Sequence, residues 1–305
     1  MNLNQLKYFS AVCTYRTISA AAAYLHISQP SLSSAIKELE KEFGVVLFRR
    51  HHRGMVLTPE GETLLRMSRD VLSLTEHMEK VMKDMGQERK ILRLGVPPMI
   101  GSLILPHIYH GFHSAHPDVE LEITEGGREE LQKRLSDDFL DMIFIPHNRV
   151  LEPKFSSINV SKLEIVFCVA KTHPMANRKS VSVKELADIP LVLFKNGFYQ
   201  TEEIKHLFSV SGVKPNILLQ TEQLSTIQTI ISNNVAAGFL FRQLIDKVPD
   251  LVSLPTTPAI YVDVSLVWKK DTYLFSSMKK FKDYIKTSTP FESCNNNFVQ
   301  EIMNI

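Results

Sequence analysis

Residues 17–61 read TISAAAAYLHISQPSLSSAIKELEKEFGVVLFRRHHRGMVLTPEG. Two short helix patterns, separated by a polar break at residues 26–28, run into a basic hairpin pattern at residues 45–57. The first helix pattern, residues 19–25, is rich in alanine, which allows its backbone to pack closely against a neighbouring helix. This order of elements predicts a winged helix-turn-helix.

The second helix pattern has clear start and stop signals. Ser28 is a typical N-cap, Pro30 falls in the first turn, where its missing N–H costs little, and Gly44 follows as a C-terminal stop. Apolar residues recur between these signals at spacings of three and four, which predicts one buried stripe. The residues of this stripe are Leu32, Ala35, Ile36, Leu39 and Phe43.

The opposite face of this helix carries small and flexible polar side chains near its N-terminal end. Such residues are typical of a recognition helix, whose N-terminal end reaches base edges in the major groove. An ordinary solvated face is the alternative interpretation. The residues are Gln29, Ser31, Ser33, Ser34 and Lys37.

A basic hairpin follows the second helix. Arg49, Arg50, His51, His52 and Arg53 surround a turn that contains Gly54, and the flanking apolar segments are expected to anchor it. Residues 1–58 hold seven Lys and Arg against three Glu, a net charge of +4, whereas the whole chain carries +2. The hairpin is therefore predicted to be a wing that contacts phosphates or the minor groove of double-stranded DNA.

The chain resembles the LysR-type transcriptional regulators. The resemblance rests on LNQLKYFSAV at residues 3–12, SQPSLSSAIKELEKEFGVVLFRR at 28–50 and LTPEGETLL at 57–65, and it extends more loosely to about residue 287. It implies base contacts from Gln29, Pro30 and Ser33. The family often has arginine at the next position, where this chain has Ser34.

A long helix is predicted after the wing, because Thr58 is a cap and Pro59 suits the first helical position. Its apolar residues repeat every 3.5 positions over three heptads, which favours a partner helix over packing on its own domain. The resemblance implies dimerisation through antiparallel linker helices, so that two recognition helices read a dyad-symmetric operator. The seam is Leu64, Met67, Val71, Leu74, Met78, Val81 and Met85.

From residue 91 onward strand and helix patterns alternate, with helices expected at about 101–114 and at 181–186 among others, which predicts parallel sheets with helices on both faces. The resemblance implies two α/β lobes similar to periplasmic binding proteins, with chain crossings near 160–164 and 263–267. The expected fold class is an N-terminal winged helix-turn-helix, a long linker helix and this two-lobed effector domain. The expected bounds are 1–58, 59–87 and 88–290 (lobe I 91–161 and 267–290, lobe II 162–266), then a weakly ordered tail, 291–305.

Ligands of open parallel sheets bind at the carboxyl ends of the strands, so an effector is expected where the two lobes face each other. Relatives commonly have Ser or Thr after the first strand, but this chain has two prolines there. Arg128 and Lys195 can still neutralise an anion, which makes a small anion the first hypothesis. The predicted effector-site residues are Pro97, Pro98, Met99, Ile100, Gly127, Arg128, Pro146, His147, Lys195, Phe198, Tyr199, Glu222 and Phe239.

Other patterns in the sequence do not predict a metal site, a redox centre or an enzyme active site. His107, His110, His113 and His116 repeat every three residues, but on a helix this spacing points the first and last to opposite faces, so no metal site is expected. Cys13, Cys168 and Cys294 are far apart, which makes a thiol redox sensor a weaker alternative. Nucleophile, phosphate-loop and dinucleotide motifs are lacking, so neither catalysis nor a cofactor is predicted.

The resulting hypothesis is a cytoplasmic, ligand-responsive DNA-binding regulator that assembles as a dimer of dimers. It has no predicted membrane segment or signal peptide, and 44% of its 305 residues are hydrophobic, as in soluble globular proteins. RNA polymerase is a further expected partner. An architectural DNA-binding protein, whose C-terminal lobes serve only assembly, is the main alternative.

Overall fold

The computed structural model describes residues 1–51, 54–86, 90–148, 150–246 and 248–288. The chain divides into two compact units, residues 1–87 and the remainder from residue 88. In the described part of the chain, no helix is both long enough and apolar enough to cross a membrane.

The N-terminal unit is a winged helix-turn-helix followed by a long helix. Its elements are α1 Leu3–Tyr15, α2 Ile18–Leu25, α3 Gln29–Phe43, β1 Phe48–His51, β2 Gly54–Leu57 and α4 Pro59–Gly86. The predicted cap is confirmed, because the hydroxyl of Ser28 accepts a hydrogen bond from the N–H of Ser31 at 3.2 Å. Gly44 ends α3 in the left-handed conformation, also as predicted.

The core of this unit lies between α1, α2, α3 and the wing. Ala21 and Ala22 are fully buried, which lets the short helix α2 lie close to its neighbours. Leu47 and Phe48 are buried as well, and the ring of Phe48 lies 5.2 Å from that of Phe9. The wing is therefore anchored in the core by the apolar residues at its base, as predicted.

The start of α4 is tied to the wing. The Thr58 hydroxyl caps α4 by accepting the N–H of Gly61 at 3.0 Å, and it donates to the carbonyl of Val46 at 2.6 Å. A Cβ atom at Gly61 would overlap the carbonyl oxygen of Leu47 and come within 2.8 Å of a Leu57 methyl. Only glycine allows the helix to pack this closely on the wing.

The C-terminal unit alternates strands and helices. Its first part contains β3 Ile91–Val96, α5 Pro98–His107, a π-helical segment Ile108–His113, β4 Glu120–Glu125, α6 Arg128–Ser136, β5 Met142–His147 and the long strand β6 Phe155–Ala170. Its second part contains β7 Val181–Ser182, a 3-10 turn Val183–Leu186, β8 Pro190–Phe194, α7 Tyr199–Val210, β9 Asn216–Thr221, α8 Leu224–Ser232, β10 Gly238–Phe241, α9 Arg242–Ile245, β11 Leu251–Leu254, β12 Thr256–Thr257, β13 Ile260–Lys269 and α10 Ser276–Thr287.

The main sheet has the order β10-β6-β13-β5-β3-β4, and β11 also pairs with β6. The prediction of parallel sheets is confirmed only for some strand pairs, because β13 pairs antiparallel with both β5 and β6, and β10 and β11 pair antiparallel with β6. The parallel pairs are β3–β4, β3–β5 and β8–β9, and β7–β12 is a short fourth. Alternation of strand and helix patterns does not fix strand direction, and β13 returns to lie between β5 and β6, antiparallel to both.

Three smaller predictions also need correction. Phe43 is not buried with the α3 stripe but is 44% exposed, because it is the last residue of the helix and lies beyond the core. The helix expected from Gly101 starts earlier, at Pro98, and becomes π-helical from Ile108. The helix expected at 181–186 is a two-residue strand followed by a single 3-10 turn.

Candidate DNA-binding surface and effector cleft

The polar face of α3 is largely solvent-exposed. The side chains of Gln29, Ser34 and Lys37 are exposed, whereas Ser33 is half-buried at the edge of a concave surface. The Ser31 hydroxyl lies 2.7 Å from that of Ser28, and the Ser34 hydroxyl donates to Glu38 at 3.3 Å. Pro30 is exposed within the first turn.

A concave surface lies between α3, the start of α2 and the wing. It combines the predicted Ser33 and Lys37 with Arg16, Thr17 and His51. Arg16 and Thr17 are not among the residues predicted for this surface, although a cationic residue just before the helix pair was a usable signal. This surface can accept a phosphate backbone, because cationic side chains and a hydroxyl converge on it.

Arg16 also fixes the position of the wing. Its carbonyl accepts the N–H of Met55 at 2.7 Å, and Arg16 itself adopts the left-handed conformation with φ 58°. Gly54 has φ +116°, and a Cβ atom there would lie 2.6 Å from the same carbonyl oxygen. Arg49 is exposed on β1, and the backbone of Arg50 pairs with that of Met55. Arg53 lies outside the described residues.

Replacing Gly54 with alanine is expected to displace the wing from the Arg16 carbonyl. The added Cβ would strain the backbone by about 1–3 kcal/mol, and movement of the wing turn relieves this strain. We expect weaker DNA binding. We also expect the slope of log K against log salt concentration to decrease in magnitude by about one unit. Gly44→Ala is the control, since Gly44 also has a positive φ (+66°) but nothing within 4 Å of an added Cβ. Equal slopes for both variants in a salt titration would contradict this role of the wing.

The predicted seam on α4 is apolar and mostly accessible. Met67, Val71, Leu74 and Met78 are exposed, and Leu64 and Val81 are half-buried. At its N-terminal end the seam continues into an apolar groove of about 600 Å³, whose lining also includes Leu6, Phe43, Val45 and Leu47.

In the C-terminal unit, a narrow cleft brings together eight of the predicted effector-site residues. They come from the N-terminal ends of α5, α6 and α7 and from the end of β5. These residues are Pro97, Pro98, Met99, Ile100, Arg128, Pro146, Phe198 and Tyr199. Three further residues line the cleft but were not predicted, because only the folding of the chain brings them there: Phe194, Gln200 and Phe241.

The electrostatics of this cleft favour negative charge. Three helices, α5, α6 and α7, begin at it, and none of them has a side-chain cap. Helix N-termini carry partial positive charge and point N–H groups outward. The guanidinium of Arg128 lies 5.7 Å from the centroid of the Tyr199 ring. Pro98 supplies no N–H at α5, so the donors of that turn begin at Met99.

The two walls of the cleft are in contact. The free space is about 20 Å³, which is room for roughly one water molecule. The N–H of Glu129 points at the carbonyl of Gly197 at 3.5 Å, and the Asn148 amide donates to Glu203 at 2.9 Å. A ligand larger than water must therefore separate these walls.

The remaining predicted residues lie elsewhere. Lys195 forms an exposed salt bridge with Glu222 at 3.0 Å, and Glu222 and Gly127 line an outer, polar pocket beside the cleft. His147 Nε2 lies 2.8 Å from the Ser265 hydroxyl. Phe239 is fully buried against Phe167 and Phe208. The structure thus brings Arg128, and not Lys195, to the cleft itself.

The two cysteines in the described residues are not thiolates. Burial raises the pKa of Cys13 to about 12, and burial raises the pKa of Cys168 to about 12 as well. Reactive thiols need a lowered pKa, so neither suits a peroxide or disulfide sensor. Cys294 lies outside the described residues. Within the described part of the chain, no group of three or more His, Cys, Asp and Glu could hold a metal ion.

Comparison with known proteins finds a family match for each of the two units. Residues 3–62 match the family model "Bacterial regulatory helix-turn-helix protein, lysR family", and residues 85–290 match "LysR substrate binding domain". The chain is 28% identical over 293 residues to the uncharacterized HTH-type transcriptional regulator YwbI of Bacillus subtilis (strain 168), covering 94% of this chain and 96% of that one. It is 26% identical over 285 residues to the HTH-type transcriptional regulator CzcR of Bacillus thuringiensis subsp. konkukian, covering 92% and 96%.

Solved structures share the fold. CbnR in complex with its target DNA has a TM-score of 0.67 at 22% identity, covering 94% of this chain and 99% of that one. A Corynebacterium glutamicum OxyR C206 mutant has a TM-score of 0.59 at 24% identity, covering 96% and 92%.

A winged helix-turn-helix joined to a two-lobed α/β domain with a cleft defines a ligand-responsive transcriptional regulator. The chain belongs to the LysR family, and it is a transcriptional regulator with a helix-turn-helix DNA-binding domain and an effector-binding domain.

Proposed function

We propose that this regulator reads its operator with the N-terminal end of α3 and holds the DNA backbone with the concave surface and the wing. The observation that carries the proposal is the convergence of Arg16, Thr17, Ser33 and Lys37 beside the exposed Gln29. Gln29, Pro30 and the serines of α3 contact bases, and Lys37, Arg49, Arg50 and Arg53 contact phosphates. CbnR binds its target DNA with the same fold, which supports this use.

Lys37→Ala is expected to weaken binding to all sequences by a similar factor and to lower the salt slope by about one unit, because one phosphate contact is lost. Lys41→Ala is the control, since Lys41 is an exposed lysine one turn further along α3 and does not line the concave surface. Binding is measured with duplexes selected from a random library of about three helical turns of DNA. An unchanged salt slope for Lys37→Ala would show that the concave surface does not contact DNA.

We further propose that the protein acts in the cytoplasm as a homodimer through α4, and that two dimers form a tetramer on a dyad-symmetric operator. The exposed apolar seam and the adjoining groove support the dimer. RNA polymerase is the proposed partner through which the bound tetramer changes transcription.

The proposed effector is a small molecule with one anionic group that enters the cleft between the lobes. Arg128 and the N-terminal ends of α5, α6 and α7 support the negative charge. Because the walls of the cleft touch, a bound effector changes the separation of the lobes. This change shifts the population of the assembly between two arrangements of its DNA-binding units.

A further inference from the structure

Gln200 is a buried amide in the wall of the effector cleft. It is the second residue of α7, it is only 3% exposed, and it lines the cleft together with Phe198 and Tyr199. Its amide nitrogen donates to the backbone carbonyl of Phe239. This bond fixes which of the two amide atoms is the nitrogen, because a carbonyl can only accept.

The other atom of this amide, Oε1, is buried and has no hydrogen-bond partner among the described residues. Buried polar atoms in folded proteins are nearly always paired, and a buried acceptor without a donor is costly. Met99, Phe194 and Phe241 in the same cleft are apolar, and Arg128 and Tyr199, the lining side chains that carry donor groups, are not hydrogen-bonded to this oxygen. The cleft therefore presents an acceptor that a ligand can satisfy.

The entrance beside the cleft is acidic. The outer pocket is lined by Glu125, Glu129, Glu130 and Glu222 and shares Pro98 and Phe198 with the cleft. Two of these carboxylates have cationic partners, Glu130 with Arg134 at 3.0 Å and Glu222 with Lys195 at 3.0 Å. The pocket thus has four acidic side chains and two paired cations. The remaining negative charge repels ligands with two or more negative charges.

We propose that the effector is a compact, largely apolar monoanion that carries a hydroxyl or N–H group, which donates a hydrogen bond to Oε1 of Gln200. This inference rests on the proposed function of the cleft and adds the chemical class of its ligand. Arg128 neutralises the anionic group, the apolar walls contact the frame of the molecule, and Gln200 selects for the donor. The acidic entrance selects against dianions.

The test measures binding of paired compounds to the full-length protein by titration calorimetry. The pairs are benzoate with each of the three hydroxybenzoates, and isovalerate with 2-hydroxyisovalerate; phthalate is the dianion. At least one hydroxylated compound is expected to bind about tenfold or more tightly than its parent, because the parent leaves the acceptor unpaired. Phthalate is expected to bind more weakly than benzoate.

In Gln200→Leu the preference for the hydroxylated member is expected to disappear. Gln243→Leu is the matched control, because Gln243 also has a buried Oε1 without a hydrogen-bond partner in the described structure but does not line the cleft. Its preference is expected to equal that of the unmodified protein. If Gln200→Leu fails to fold, the inference is still tested by comparing the affinities of the two members of each pair for the unmodified protein.

Equal affinity within every pair, including no binding by any compound, overturns the inference, as does a preference that survives Gln200→Leu. A compound without a donor that binds in the cleft and changes DNA binding would leave the proposed effector role standing. If Lys37→Ala leaves DNA affinity unchanged, that result instead contradicts the proposed DNA interface, whatever the cleft binds.

Discussion

Gly61→Ala is expected to lower the free energy of unfolding of the N-terminal unit by about 2 kcal/mol. Alanine normally stabilises a helix relative to glycine by up to about 1 kcal/mol. Here the added Cβ overlaps the backbone carbonyl of Leu47, which cannot rotate away, and it crowds Leu57. Overpacking of this kind costs about 1–3 kcal/mol and sometimes more, so the steric cost outweighs the gain in helix propensity.

The single tryptophan allows unfolding of the two units to be distinguished, and a second glycine of α4 serves as the control. Trp268, the single tryptophan, lies on β13, so its fluorescence reports unfolding of the C-terminal unit, whereas far-ultraviolet circular dichroism reports both units. Gly61→Ala is expected to shift the circular dichroism transition in urea and to leave the tryptophan transition unchanged. Gly86→Ala, at the end of the same helix with nothing within 4 Å of an added Cβ, is expected to be neutral or slightly stabilising. Equal stability of the two variants would contradict the close packing of α4 on the wing.

Leu74→Asp is expected to dissociate the dimer. Leu74 lies near the middle of α4, it is 69% exposed in the single chain, and it belongs to the 3.5-residue seam. By two-fold symmetry each substitution removes two buried leucines, each worth about 1.5–3 kcal/mol, and places two carboxylates in the interface. The dissociation constant is therefore expected to rise by about 100-fold or more.

Sedimentation velocity over a range of concentrations measures this change. The control is Ser73→Asp, which adds the same charge at the neighbouring exposed position, about 100° around the helix and off the seam. Leu74→Asp is also expected to bind a dyad operator no better than a single half-site, because the two recognition helices are no longer linked. Dissociation by both variants, or by neither, would contradict dimerisation through this seam.

The DNA-binding region could be predicted in detail because its signals are local. The cap at Ser28, the proline in the next turn, the left-handed Gly44 and the spacing of Leu32, Ile36 and Leu39 all act within one or two helical turns. The heptads of α4 are local in the same sense, since a helix places residues three and four apart on one face whatever it packs against. These patterns were sufficient to propose the recognition helix, the wing and the seam.

The effector cleft could be predicted only in outline. Alternation of strands and helices located the loops at the strand ends, and eight of the predicted residues line one cleft. Alternation of strands and helices does not determine strand direction, which is why the antiparallel pairing of β13 with β5 and β6 was missed. Lys195 was an equal candidate to Arg128 by charge, but its salt bridge with Glu222 lies outside the cleft.

Sequence alone determined the order of elements and the buried faces of the helices, because these depend on spacings within a few turns of backbone, and the resemblance of its motifs to the LysR family indicated the class of protein. The tertiary structure alone decided that the Arg16 carbonyl accepts a hydrogen bond from the wing, that Gly61 contacts Leu47, and that the Gln200 amide faces the effector cleft. These contacts join residues 14 to 39 positions apart, so they depend on how whole elements pack. Packing of that kind is set by the shape and hydrogen bonding of the complete core, and no local pattern encodes it.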